Sequence, residues 1–221
     1  MRTRAIALLL SLLLTACAPT MHGYALRQPR HDESRRVGEI LDPLLMALEL
    51  PSLQTIIASK GCKIGLAIVR TDRVNVWGSP ATAAPCLYFT LLLTEGALKI
   101  PRDQLMATIA HELGHLVLRH TPQSDGPTLT VPAERWRAIQ AQELEADRFA
   151  IALLKQTRIV YRVGSCEAMA RFLRRSVPDW YGTTISARMD QAISQRAESA
   201  DADCASPDVA PLRPTPAAAV P

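Results

Sequence analysis

Aromatic side chains make up only 5% of the 221 residues, and neither an internal repeat nor a collagen-like period is present. Repeat and fibrous architectures are therefore excluded. No cysteine has a C-x-x-C partner, which argues against a cysteine-based zinc site or a thioredoxin-type redox motif. Charge of one sign is also lacking: the formal balance is +4, and it drops to +2 without residues 1–16, which carry Arg2, Arg4 and no acid. Nothing in that balance calls for a nucleic acid partner. With 48% hydrophobic residues and this low net charge, the chain is expected to fold, and its length suits one ordinary domain with appendages.

The apolar run at the N-terminus, Ala5 to Leu14, is shorter than the roughly 20 residues a membrane-spanning helix needs. It follows the basic Met1-Arg2-Thr3-Arg4 and ends in Leu14-Thr15-Ala16-Cys17. This segment resembles a bacterial lipoprotein signal, with residues 1–16 removed and Cys17 acylated, palmitate included; an uncleaved membrane helix is the competing reading. Ala18 after the Cys is similar to lipoproteins sorted to the outer membrane, facing the periplasm. Residues 17–31 then read as lipidated Cys and tether. Four cysteines remain, Cys62, Cys86, Cys166 and Cys204, an even number with three possible disulfide connectivities. Chain order makes Cys62–Cys86 with Cys166–Cys204 the least demanding of the three.

The domain is expected over 32–198. Val37, Ile40, Leu41, Leu44, Leu45 and Leu48 form a helical stripe, with a kink or break expected at Asp42-Pro43. Ile64 to Val69, Val74 to Trp77 and Cys86 to Thr90 read as three strands of a mixed or antiparallel sheet. Helices are expected at Pro101–His120, Pro132–Lys155, Ser165–Val177 with Ser165 as cap, and Ser186–Ser199. From Ser199 onward, five prolines and seven alanines in 23 residues predict a disordered tail at 199–221, with Cys204 able to pin its start. The expected class is α+β, mainly helical with a small sheet.

The segment that carries chemistry is His111-Glu112-Leu113-Gly114-His115. Residues four apart on a helix lie one above the other, so His111 and His115 present two imidazoles on one face. Glu112 beside them is placed to take a proton from an attacking water and deliver it to a leaving amine. With five His and ten Glu in the chain, random order yields roughly 0.005 such matches. A catalytic zinc wants a third protein ligand. Leu118 and Thr121 stand where a metzincin would have Gly and His, so that class is rejected. Downstream, Glu143 and Asp147 share a helix face: Glu143 can reach a metal, and Asp147 can accept a hydrogen bond from the outer nitrogen of a ligand histidine. Glu145 lies about 200° round the helix and reads as solvated or salt-bridged. His120 reads as a favourable charge at a helix C-terminus rather than a ligand.

From Val74 to Ala150 these linked motifs resemble the gluzincins, and within them the HtpX and CAAX prenyl protease type I metallopeptidases (family forty-eight). The resemblance implies a zincin-like catalytic domain, one Zn2+ per chain held by His111, His115 and Glu143, Glu112 as general base, and Asp147 behind a ligand. It also implies polypeptide substrates, with extended peptide adding along Cys86–Thr90, and leaves room for envelope assembly proteins as partners. The family's downstream His-Pro is absent: no histidine follows His120, and Tyr181-Gly182 stands in its place, ahead of Arg188-Met189. Tyr181 is the candidate oxyanion donor, with Arg188 beside it. The function expected is zinc metalloendopeptidase acting on unfolded or misassembled envelope proteins. Two alternatives stand: a lipid-anchored, chaperone-like binding protein that keeps the zinc fold with little hydrolysis, and a structural lipoprotein without metal.

Overall fold

The computed structural model describes residues 20–21, 24–48, 63–80, 87–120, 133–181 and 187–207. In chain order the elements are β1 (Thr20–Met21), β2 (Tyr24–Arg27), α1 (His31–Ala47), β3 (Lys63–Val69), β4 (Val76–Pro80), β5 (Leu87–Thr94), a 3-10 turn (Ala97–Lys99), α2 (Arg102–Val117), α3 (Ala133–Tyr161), α4 (Glu167–Tyr181) and α5 (Ala187–Ala205). The fold is α+β and mainly helical, as expected. Among the described residues no helix is long and apolar enough to cross a membrane.

The α1 stripe does what its spacing dictates: Val37, Ile40, Leu41, Leu44, Leu45 and Leu48 are all buried. Burying six such side chains contributes on the order of 10 kcal/mol. Pro43 does not split the helix, which runs unbroken from His31 to Ala47. A proline removes the N–H that would reach the carbonyl four residues back. Here that carbonyl belongs to Glu39, and the Arg102 guanidinium donates to it at 3.1 Å.

The sheet has the order β1-β2-β3-β5-β4. β3 and β5 are parallel, and the remaining pairs are antiparallel. On β5, Phe89, Leu91 and Leu93 alternate into the core. The turn after it needs Gly96, because a Cβ there would stand 2.1 Å from the Asp72 carbonyl oxygen. A strand overlaps each of the three expected ones, although β4 shares only Val76 and Trp77 with the expected Val74–Trp77, and two expectations are corrected. β5 contains most of the Cys86–Thr90 segment and is an interior strand, already paired on both sides by β3 and β4; the outer strand beside α2 is β4. Segment 17–31 is not a tether throughout: β2 pairs with β3, and Arg27 donates to Glu33 on α1 at 2.7 and 2.8 Å and to Glu95 at 2.8 Å.

The C-terminal boundary also moves outward. α5 continues to Ala205, and Cys166 and Cys204 form a disulfide that ties it to the start of α4. Lys155 of α3 donates to the carbonyls of Asp203 and Ser206 at 2.5 and 2.6 Å, supplying a cation to the exposed carbonyl end of the helix. Of the alanines that suggested low complexity, Ala200, Ala202 and Ala205 stand in this helix, and Ala200, with Ala197 before them, lies buried against the core. Ser165 does not cap α4 through an N–H contact; its hydroxyl donates to Glu167. Cys17, Cys62, Cys86 and Gly182 lie outside the described residues.

Candidate metal centre

α2 is buried along most of its length, with Leu105, Ile109 and Leu113 in the core and His111 only 7% exposed. Its partner across the site is α3. Gly114 sets the distance between them: a Cβ on it would meet the Ala146 backbone at 3.1 to 3.2 Å. The room that glycine leaves is thus occupied by a neighbouring helix, which brings Glu143 over the two histidines.

The three side chains converge. His111 Nε2 and His115 Nε2 are 3.0 Å apart, and Glu143 stands 3.4 Å from the first and 3.5 Å from the second. Tetrahedral zinc with bonds of about 2.0–2.2 Å requires ligand-to-ligand edges of about 3.3–3.6 Å. The distances to Glu143 fall in that range, each to a different carboxylate oxygen, Oε2 for His111 and Oε1 for His115, and the distance between the two imidazole nitrogens is shorter. A mixed imidazole and carboxylate donor set of this size can hold a metal ion.

Behind His111, its Nδ1 is 2.8 Å from Asp147 Oδ1, at ion-pair distance although out of hydrogen-bond alignment. Behind His115, its Nδ1 is 2.9 Å from His120 Nδ1, whose Nε2 in turn lies 3.2 Å from Glu145. Glu145 is exposed, as its phase on α3 predicts, and its carboxylate meets the His120 ring. His120 follows the C-terminus of α2 but serves another residue's ring rather than only the helix dipole.

Glu112 projects toward the sheet, where the Gly78 N–H of β4 donates to its Oε2 at 2.6 Å. Burial pushes its carboxyl up to about 7, against the lowering effect of His111 and of the Gly78 N–H. A group titrating there can both accept and release a proton at neutral pH. Burial opposes charge on His111 too, but the Asp147 and Glu143 carboxylates outweigh it and raise the imidazole to about 10. Burial and the charge on His111 drive His115 down to about 3, leaving its lone pair available as a donor. Glu143 and Asp147 are held below the ordinary carboxylate range despite burial, chiefly by Arg196.

Arg196 is the residue that sequence reasoning missed. From α5 its Nη1 lies 2.8 Å from Glu143 Oε2, while Nε and Nη2 donate to the two oxygens of Asp147 at 2.7 and 2.9 Å. Two carboxylates four apart on one buried face demand a cation, and that was the available signal; α5, however, carries Arg188 as well. Arg188 falls in its first turn and Arg196 about two turns later, so only the packing of α5 on α3 selects between them. Arg196 also lines a cavity of about 300 Å³ between these helices, with Trp136, Gln140, Leu144, Gln191 and Gln195. Tyr181 is the last residue of α4, and its side chain is outside the described part of the structure.

Comparison of the chain with family models, with curated proteins and with solved structures finds no match.

Proposed function

We propose that this chain is a zinc-dependent metalloendopeptidase, anchored by lipid on Cys17 to the periplasmic face of a bacterial outer membrane. The observation that carries the reading is the convergence of His111, His115 and Glu143 into a group that could hold a metal ion, with Glu112 on the adjoining helical position. Zinc, when bound there, supplies the Lewis acidity that makes water a nucleophile at neutral pH and polarises a peptide carbonyl. Glu112 takes the proton of the attacking water and passes it to the departing amine, a role suited to a carboxyl raised to about 7. Asp147 steadies His111 from behind, and Arg196 holds Asp147 and Glu143 in place.

An extended polypeptide adds along β4, the outer strand next to Glu112, through main-chain hydrogen bonds. Such recognition has little sequence preference and suits unfolded or misassembled envelope proteins. Tyr181 remains the proposed oxyanion donor. The test is cleavage of an unfolded protein by the zinc-loaded chain beside its Glu112→Gln variant. Degradation by the parent alone, with zinc bound equally by both, supports the enzyme. Equal zinc and no degradation by either supports instead a chaperone-like binding protein on the same fold, and a parent that binds no metal defeats both readings.

A further inference from the structure

We propose that His120, backed by Glu145, is a positioning residue that orients His115 toward a bound metal ion. The inference rests on the metal-site reading above.

The backbone places His120 there. α2 ends in a Schellman arrangement: the His120 N–H donates to the His115 carbonyl at 2.9 Å and the Arg119 N–H to that of Leu116 at 3.3 Å. The reversal requires a left-handed residue, and Arg119 supplies it at φ 57° without the freedom of glycine. The chain then turns back over the helix end, and the His120 ring packs edge to face on that of His115, with centroids 5.0 Å apart. The His120 side chain is only 7% exposed, whereas Glu145 is 62% exposed.

The hydrogen-bond chain has a direction. The Nε2 atom of His115 faces His111 and Glu143, so a metal there needs its lone pair, and the proton of the neutral ring must sit on Nδ1. That proton points at His120 Nδ1, 2.9 Å away, which must then accept. The proton of His120 consequently sits on Nε2, the atom that faces Glu145 at 3.2 Å. One assignment satisfies every nitrogen in the chain and leaves the metal-facing lone pair free. Both ligand imidazoles are then backed by a carboxylate of α3, His111 by Asp147 directly and His115 by Glu145 through a second imidazole.

The experiment is competition for Zn2+ between the full chain and a chromogenic chelator, paired with the visible spectrum of the Co2+-loaded protein. Removing an orienting partner of a ligand histidine weakens metal binding about 10- to 100-fold. His120→Ala is expected to weaken Zn2+ binding by that factor and to shift the Co2+ bands. His120→Asn, whose Oδ1 stands where the imidazole Nδ1 stood, restores both to near the parent; Glu145→Ala, at an exposed site, loosens zinc by a smaller factor. His120→Ala and Glu145→Ala both at parental affinity, with unchanged Co2+ spectra, would overturn the inference. Should His120→Ala fail to fold, the other two variants decide it: Glu145→Ala weakened beside a parental His120→Asn supports the chain, and both parental overturns it. A parent that binds neither metal overturns instead the metal-site reading.

Discussion

Arg196 neutralises two carboxylates that would otherwise share a buried face, and its own side chain is only 11% exposed. Removing one partner of a buried charge cluster is costly because the others stay behind unpaired, typically by about 3–5 kcal/mol. Arg196→Gln should therefore lower the stability of the metal-free protein by that amount in a denaturant titration. Zinc brings positive charge to the same carboxylates, so the variant should gain more stability from added zinc than the parent does. Equal gains in both proteins would show that Arg196 and the metal do not act on the same acids. His111, Glu112, His115, Glu143 and Asp147 were all legible in the chain because each pair lies on one helix at a spacing that makes its geometry local. Arg196 was not, since its partners are 49 and 53 positions away.

Between elements, two contacts decide how well the site is framed. Gly114 lets α2 and α3 approach, and Gly114→Val would push Val methyls into the Ala146 backbone and the Phe149 ring. The expected result is a widened gap between Glu143 and the histidines, seen as at least about tenfold weaker zinc binding, with a loss of stability of about 1–3 kcal/mol from overpacking. At the other end, Arg27 ties β2 to α1 and to the turn after β5. Its guanidinium, with help from the Arg30 N–H, holds the Glu33 carboxyl at about 2 instead of 4.5 against the pull of burial. A depressed carboxyl stabilises the fold fully above its unfolded value and stops doing so as pH falls from about 4.5 through 2. Glu33→Gln should accordingly lose about 1–2 kcal/mol at pH 7 and much less at pH 2, flattening the acid limb of stability against pH. The hydrophobic period announced α1 and β3, whereas β2 is too short and too polar to show one, and it becomes a strand only because β3 offers it an edge.

For the molecule as a whole, the Cys166–Cys204 bridge closes a segment of 38 residues between the starts of α4 and the end of α5. Constraining a loop of that length in the unfolded chain is worth about 3–4 kcal/mol. Cys204→Ala should lower the melting temperature by about 10 °C, and added reductant should lower the parent's melting point to a similar level. An unchanged melting point would mean that the interlock of Lys155 with the end of α5 suffices. Because α5 also carries Arg196, the same variant is expected to loosen the candidate metal site.

What the sequence determined by itself is whatever depends on neighbours within a few turns of one helix: the two imidazoles of α2, the acids of α3, the buried stripe of α1 and the expectation of an α+β domain. Such relations need only the 3.6-residue period, which the chain carries wherever it goes. Tertiary structure decided which strand lies at the open edge of the sheet, which arginine meets the acids, how the segments at both ends join the core and that His120 stands behind His115. Each of these depends on surfaces brought together by packing across dozens of residues, or on a single left-handed residue at a helix end, and neither leaves a period in the sequence to read.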